Sequence, residues 1–216
     1  MFDLARPPDS HDARFRLAEA TRQIISELAS STASSEAFEQ ARDLVVQAAT
    51  LLAERSHGRS YESAEASLAD VQDSGFLDHS PVVGALNPLA APVRVRVEEQ
   101  QVIGDAVYGP AYEGPPGCVH GGSIAAGFDE ILGFTQSMSG QVGMTGRLEV
   151  FYRSPTPLGV EVRYRGWLDR VEGRKIYVQA TLHHGERLCA EATGVFISMR
   201  PEVFQRLMKD RPQPEG

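Results

Sequence analysis

The sequence contains few cysteines and no long apolar run, and each absence excludes a class of protein. Only Cys118 and Cys189 occur in 216 residues, so neither a disulfide framework nor a CxxC metal or redox motif can be drawn. No stretch reaches the roughly 18 to 20 uninterrupted apolar residues of a membrane helix. Charged residues recur through the first twenty positions, where a signal peptide needs an apolar region. We therefore expect a cytoplasmic protein with no membrane span.

Positive charge is also scarce. The chain has 21 Lys and Arg against 29 Asp and Glu, for a net charge of −8, and residues 1–78 hold 7 basic and 14 acidic residues. This acidity argues against a nucleic-acid partner. Residues 145–175 are the exception, with seven basic and four acidic residues. Their positive field suits a small polyanion such as a phosphorylated cofactor, although a solvated face of a sheet explains the same charges.

The first part of the chain has helical periodicity. Apolar residues recur at helical spacing over residues 12–29 and 36–55, and Ser34 and Ser35 stand in N-cap positions before the second run. Residues 56–92 are rich in Ser, Gly, Asp and Pro and indicate a connector. We expect the helices to pack on the outer face of a sheet or at a subunit interface. The predicted division is an N-terminal helical extension and connector, a main domain and a polar C-terminal tail, at residues 1–79, 80–205 and 206–216.

The pattern changes to strands after the connector and is interrupted by one helix. Alternation predicts two short strands near Val93 to Glu98 and Val102 to Tyr108, and residues 120–138 are apolar nearly all round, as in a buried helix. Four further strands, joined by turns, are predicted at residues 143–153, 159–171, 174–184 and 187–199. The fold class is therefore α+β, with an antiparallel sheet of about six strands wrapped around one long central helix. We expect the last four strands to form a meander.

The start of the central helix carries the strongest chemical signal. Gly121 and Gly122 leave backbone N–H groups open to close approach by a ligand oxygen, and a helix N-terminus carries partial positive charge. Asp129 follows in an apolar neighbourhood, where a buried carboxylate is costly unless it is paired or used. Helical rise separates Asp129 from Gly122 by about 10 Å, so one helix cannot aim both groups at the same carbonyl. Joint action therefore predicts a symmetric dimer with shared sites.

Five elements in register resemble a known family. They are His120-Gly121-Gly122, Asp129, Thr145, Tyr152-Arg153-Ser154-Pro155-Thr156-Pro157-Leu158 and Leu168-Asp169-Arg170-Val171-Glu172-Gly173-Arg174-Lys175. In this combination, residues 80–200 resemble hotdog fold thioesterases of the PaaI-type group, and especially its mitochondrial acyl-CoA thioesterase branch. The resemblance implies a homodimer, often paired into tetramers, that hydrolyses acyl-CoA in lipid metabolism. It implies no cofactor, because coenzyme A is part of the substrate.

The resemblance also implies a role for individual residues. Asp129 is the general base or the nucleophile, and the Gly121 and Gly122 amides polarise the thioester carbonyl. His120 shapes the helix start, and Thr145 helps Asp129 to place the water. The expected contacts to coenzyme A are Phe151, Arg153 and Arg174. Helix capping by His120, an ordinary strand position for Thr145 and a solvated turn for Arg174 are the structural alternatives.

Three other functions fit parts of the pattern. A serine hydrolase is suggested by Ser123 in a Gly-x-Ser-x-Ala run, but the strand that should lead into a nucleophile elbow is missing. A hydratase of the same fold needs an acid/base His that is not evident. A non-catalytic acyl-CoA-binding or sensing protein has no reason to keep Asp129. His183 and His184 lack the spacing of metal ligands, so we predict no metal site.

Overall fold

The computed structural model describes residues 12–54, 80–91, 93–141 and 143–199. The predicted tail at 206–216 and most of the predicted connector lie outside these residues. Within the described ranges, no helix is both long enough and apolar enough to cross a membrane.

Both predicted N-terminal helices are confirmed to within two residues at each end. Helix α1 spans Ala13–Ser30 and α2 spans Ser35–Ala53. Each begins at a side-chain cap, because the carboxylate of Asp12 accepts from the Arg14 N–H and the hydroxyl of Ser34 accepts from the Ala37 N–H. The Ser34 cap is the one that the sequence predicted.

Six strands form one antiparallel sheet, as predicted. They are β1 (Arg94–Glu98), β2 (Gln101–Val107), β3 (Gly143–Tyr152), β4 (Glu161–Glu172), β5 (Lys175–His184) and β6 (Arg187–Ser198). The order across the sheet is β1-β2-β4-β5-β6-β3. The expected four-strand meander is wrong for β3, which pairs with β6 and leaves β4 to pair with β2. Turn signals locate strands along a chain, but they do not say which edges meet.

The predicted central helix is confirmed as α3 (Gly121–Ser137), which lies between β2 and β3 in the chain and packs across the sheet. Its inner face holds Phe128, Ile131 and Leu132, all at 0% exposure. The sheet contributes the alternate residues of its strands, such as Ile176 and Leu182 of β5, which are equally buried. This single apolar layer is the core of the fold.

Glycine allows the helix and the sheet to approach closely. A Cβ at Gly166 of β4 would overlap the Thr135 hydroxyl of α3, and one at Gly127 of α3 would overlap the Tyr164 hydroxyl of β4. A larger residue at either position would require these side chains or the helix to shift. Gly127 of α3 and Gly166 of β4 therefore let the helix lie close to the sheet, which fixes the position of the helix N-terminus.

Helix α1 lies against a short 3-10 helix at Pro110–Tyr112, just before the loop that leads into α3. Of the two expected positions for the N-terminal helices, the outer face of the sheet does not describe this contact of α1, and a subunit interface stays a prediction. Ala18 is the one buried residue of α1, and α2 has no buried residue within the described chain. The segment at residues 80–91 lies beside α1 and is joined to it by hydrogen bonds from Arg22.

Candidate active site

The N-terminus of α3 is capped by a histidine. His120 precedes the helix with extended backbone, and its Nδ1 accepts a hydrogen bond of 3.0 Å from the Gly122 N–H. This contact assigns the ring proton of a neutral His120 to Nε2. Gly122 therefore already has a partner for the amide that we expected to face a ligand. Among the described residues the Gly121 N–H donates no hydrogen bond, so it is the open amide of this helix end.

Tyr152 closes over the first residue of α3. Its hydroxyl donates to the Gly121 carbonyl at 2.7 Å. A Cβ on Gly121 would lie 3.1 Å from the Tyr152 hydroxyl oxygen. Sequence reasoning quoted Tyr152 only as part of a motif and gave it no role. Its place at the end of β3, immediately before Arg153, was the available signal.

Asp129 is exposed, so the expected burial of this carboxylate is wrong. The outer face of α3 carries Gly122 and Asp129, seven residues or about two turns apart, and both are open in the single chain. The helix is apolar on most sides, but the sheet covers only one of them. The sequence correctly predicted that the neighbours of Asp129 along the helix are apolar. It could not show which face of the helix the sheet of the same chain covers.

Thr145 and Asp129 meet, although sixteen residues separate them. The Thr145 hydroxyl donates to Oδ1 of Asp129 at 2.9 Å. The register of β3 on β6 shifts between Thr145 and Arg147, which marks a bulge at Gly146. Bulges redirect neighbouring side chains. A Cβ on Gly146 would lie 3.0 Å from the Ile197 side chain, so a larger residue fits poorly there. Sequence reasoning missed Gly146.

The carboxylate next to Asp129 has a different environment. Glu130 is partly buried, and desolvation raises its pKa, while a hydrogen bond of 3.2 Å from the Ser80 hydroxyl opposes that shift. The charge of Asp129 adds to the rise in the pKa of Glu130. Sequence reasoning passed over Glu130. Helical periodicity gave a signal for this difference. Gly122 and Asp129 lie on one exposed face of α3, and Glu130, the next residue, is turned away from that face.

The expected coenzyme A contacts are not brought together in one chain. Phe151 and Arg153 lie at the end of β3, roughly 20 Å from Thr145 at about 3.3 Å per residue. The Arg153 guanidinium is 5.4 Å from the Phe151 ring centre and bonds to Glu191. Arg174 lies at the opposite end of β3, where its Nη2 donates to the Ser198 carbonyl at 3.0 Å. Both arginines therefore already have protein partners.

A buried aspartate of the sheet forms an ionic cluster with two partly exposed arginines. Asp105 of β2 is 8% exposed and bonds to Arg163 of β4 at 2.6 Å and to Arg96 of β1. Burial alone would raise the pKa of Asp105, but the hydrogen bonds from Arg163 and Arg96 outweigh it and lower that pKa. The cluster joins three strands. We assign it to the stability of the sheet.

A long central helix wrapped by a six-stranded antiparallel sheet, with an open helix N-terminus, defines the hotdog fold, as the sequence predicted. Residues 116–191 match the thioesterase superfamily model. A crystal structure of a thioesterase superfamily protein superposes with a TM-score of 0.77 at 28% identity, covering 91% of this chain and 100% of that one. The predicted hotdog fold is thereby confirmed, and residues 116–191 form a thioesterase superfamily domain.

Two curated relatives extend the comparison. Acyl-coenzyme A thioesterase THEM4 of Bos taurus is 38% identical over 96 residues, which are 44% of this chain and 39% of that protein. Acyl-coenzyme A thioesterase THEM4 of Xenopus laevis is 40% identical over 96 residues, or 43% of each chain. The chain thus spans about two fifths of the length of these relatives.

Proposed function

We propose that the protein hydrolyses the thioester of an acyl-CoA to a free acid and coenzyme A. The observation that carries this proposal is the Asp129 carboxylate, held by Thr145 and open on the helix face that begins at Gly122. A positioned carboxylate and a positive helix end are the two groups that thioester hydrolysis needs. The superfamily match and the names of the THEM4 relatives support the same reaction.

The helix N-terminus polarises the carbonyl in this mechanism. The open Gly121 N–H and the helix dipole attract the carbonyl oxygen as it becomes negative during attack. The Gly122 N–H joins them when the carbonyl oxygen shares it with His120 Nδ1 or displaces that nitrogen. His120 thus shapes the helix start, which is the role that the family resemblance implies.

Asp129 supplies the second half of the reaction. As a general base it takes a proton from water while the water oxygen bonds to the thioester carbon, and the C–S bond then breaks to release coenzyme A as thiol. As a nucleophile its oxygen bonds to the thioester carbon, the C–S bond breaks to release coenzyme A, and water then cleaves the resulting anhydride to the free acid and the Asp129 carboxylate. The Thr145 hydroxyl occupies Oδ1 and leaves Oδ2 for either task. Neither route requires a cofactor or a metal, so we expect dialysis against EDTA to leave the rate unchanged.

The proposal includes a dimer formed along β3, because the two edges of the sheet differ. β1 has five residues, including Arg94, Arg96 and Glu98, and a short charged edge resists pairing. β3 has ten residues and pairs only with β6 in the described chain, and its Met144, Phe151 and Tyr152 are 55%, 45% and 54% exposed. The middle of β3 carries the exposed ion pair of Arg147 and Glu149, and exposed apolar residues lie on both sides of it. A long edge of this kind suits a second copy of the chain.

Antiparallel pairing of two β3 strands would assemble the shared site. A two-fold axis near the middle of the strand sets the beginning of one β3 beside the end of the other. Thr145 and Arg174 of one subunit would then lie near Phe151 and Arg153 of the second. The same axis sets the start of one α3 near Asp129 of the other. The residues that one chain holds roughly 20 Å apart would thus form one groove for coenzyme A.

The test compares thiol release by the native protein, Asp129→Asn and Asp169→Asn over short, medium and long acyl-CoAs. Asp169 is a surface aspartate paired with Arg170, and serves as the matched control. We expect Asp129→Asn to lose roughly a hundredfold or more of the rate and Asp169→Asn to retain it. Rapid quenching followed by mass spectrometry separates the two routes, because only a nucleophilic Asp129 leaves an acylated protein.

Two outcomes contradict the proposal. Full turnover by folded Asp129→Asn would remove the carboxylate from the mechanism. Binding of acyl-CoA without turnover by the native protein would identify a binder or sensor on the same fold. The dimer is tested separately by sedimentation of the native protein and of Val150→Pro, since a proline blocks pairing along this edge. A native monomer would contradict the shared site.

A further inference from the structure

A pocket of about 330 Å³ opens beside the α3 N-terminus. Its inner side is formed by the first turns of α3, with Gly122, Ser123 and Ala126, and its floor by Tyr108. Its outer wall is the segment at residues 80–91. The residues of that wall that line the pocket are Pro81, Val82, Leu89 and Ala91. The pocket therefore begins at Gly122, which directly follows the open amide of Gly121, and Asp129 lies about one helical turn beyond Ala126.

The chemistry of the lining suits an apolar group. Apart from the tyrosines at 108 and 112, the titratable lining residue is His120, which is engaged in the helix cap. Tyr108 is 2% exposed, and its hydroxyl is hydrogen-bonded to that of Tyr164 at 2.7 Å, so its ring rather than its hydroxyl is offered to the pocket. The cationic groups of Arg153 and Arg174 do not line it. A phosphorylated cofactor would find no charge partner among these residues.

The wall is anchored at its first residue to α3. The Ser80 hydroxyl oxygen accepts from the Val82 and Val83 N–H groups at 3.1 and 3.2 Å. The same hydroxyl donates to Glu130 Oε1 at 3.2 Å. The start of the wall is thereby joined to the helix that carries Asp129.

The rest of the wall is held by one arginine of α1. The Arg22 side chain is 11% exposed and donates to the carbonyls of Gly84 and Asn87 at 3.1 Å, to that of Ala90 at 3.3 Å and to that of Ala85. Tyr112 adds a hydrogen bond of 3.0 Å to the Leu89 carbonyl. The five donors of a guanidinium can satisfy several carbonyls at once, and an ammonium cannot reproduce that geometry.

We propose that this pocket binds the acyl group of the thioester, and that Arg22 is the positioning residue that holds its wall and so limits acyl length. The inference rests on the proposed function. A volume of about 330 Å³ is at the low end of the roughly 300 to 1,000 Å³ typical of ligand pockets. The preferred substrates are therefore acyl-CoAs of short to medium chain. The N-terminal extension thus sets substrate size without contacting the reacting atoms.

The first test changes the wall. Val82→Phe fills the pocket and Val82→Ala enlarges it, while Val46→Phe, at an exposed position of α2, is the matched control. One methylene in an apolar pocket changes kcat/KM by roughly 10- to 200-fold. We expect Val82→Phe to lose at least tenfold of kcat/KM on the longest accepted chain and a smaller factor on acetyl-CoA. Val82→Ala should move the optimum to longer chains. An unchanged chain-length profile in both variants would overturn the proposal.

The second test removes the hydrogen bonds from Arg22 to the wall. Arg22→Met keeps the length of the side chain and loses its donors, and Arg42→Met on exposed α2 is the control. We expect Arg22→Met to raise KM for preferred chains, to admit longer ones and to leave kcat for acetyl-CoA within twofold, with Arg22→Lys intermediate. A merely structural role would lower activity on every chain by the same factor, and that result would contradict the assignment.

The two proposals fail in different ways. Collapse of turnover in Asp129→Asn with an unchanged chain-length profile in the Val82 variants keeps the hydrolase and removes the acyl pocket. Absence of turnover in the native protein removes the hydrolase. In that case binding of acyl-CoAs, measured by calorimetry on the same variants, tests the pocket, and equal affinity for all chain lengths overturns it.

Discussion

Apolar residues are buried in one region of the molecule and exposed in another. The sheet and its central helix bury them, whereas the N-terminal helices leave many of them exposed. Around α3, residues such as Ile131 and Leu182 are at 0% exposure. In the N-terminal helices, Leu28, Leu44 and Leu51 are 66%, 67% and 71% exposed. Both regions have clear apolar periodicity in the sequence. Periodicity therefore identifies the apolar face of an element, but not whether anything in the same chain covers it.

The two regions are also stabilised by different interactions. Apolar burial holds α3 on the sheet, and each fully buried large side chain contributes about 1.5 to 3 kcal/mol. Helix α1 is held largely by hydrogen bonds from Arg22 to the segment at 80–91. Each such bond contributes about 0.5 to 1.5 kcal/mol, or somewhat more from a charged donor. The N-terminal helices should therefore open before the sheet does.

The largest expected effect on the free energy of unfolding comes from replacing isoleucine by alanine, and the same replacement is made in both regions. Ile131→Ala removes a fully buried side chain and should lower the free energy of unfolding by about 2 to 5 kcal/mol. Ile24→Ala, at a position 47% exposed on α1, should cost about 0.5 kcal/mol or less. Urea titration measures both. Equal losses would mean that a second molecule covers the face of Ile24 and would break the comparison.

The next effect concerns the ionic cluster of the sheet. Asp105→Asn leaves Arg96 and Arg163 without their shared carboxylate and should cost about 1 to 3 kcal/mol, less than a fully buried pair because both arginines are partly exposed. The folded pKa of Asp105 is lowered, so its stabilisation is complete above the unfolded value near 3.8 and is lost as pH falls through the folded pKa. Asp169→Asn at the surface is the control, and an equal loss there would argue against a special role for the cluster.

A smaller and opposite pH effect is expected at Glu130. Its folded pKa is raised, so the folded state binds the proton more tightly, and stability falls as pH rises from about 4.5 through the folded value. Glu130→Gln lacks this loss. The melting temperature of the native protein should therefore decline relative to that of Glu130→Gln over this interval. Parallel curves for the two proteins would show that the environment of Glu130 does not shift its titration.

The smallest effect is expected on α2. Glu39→Gln removes one partner of the exposed ion pair with Arg42, whose side chains are 63% and 62% exposed. Exposed pairs of this spacing contribute about 0.3 to 0.5 kcal/mol. Thermal unfolding at low salt measures the loss, and 0.5 M salt should abolish it. A loss that persists at high salt would place the pair in a buried interface.

The candidate site shows where sequence reasoning ends. Gly121, Gly122 and His120 follow from a local pattern, since a helix start is fixed by its own residues. The contact between Thr145 and Asp129 lies beside a bulge at Gly146. An isolated glycine within a strand is a local signal for such a bulge, but not for the side-chain contact next to it. The family resemblance identified Thr145 as a candidate site residue, but it did not predict the hydrogen bond from Thr145 to Asp129. The dimer and the catalytic roles stay predictions, because a single chain leaves them open.

The sequence by itself determined the elements, their bounds to within about two residues and the apolar face of each one. Those features depend on periodicity, caps and turns, which act over a few neighbouring residues. Tertiary structure alone decided that β3 lies beyond β6, that Asp129 is exposed, and that Arg22 holds a wall of residues more than 60 positions away. Such contacts depend on which surfaces meet, and no local pattern contains that information.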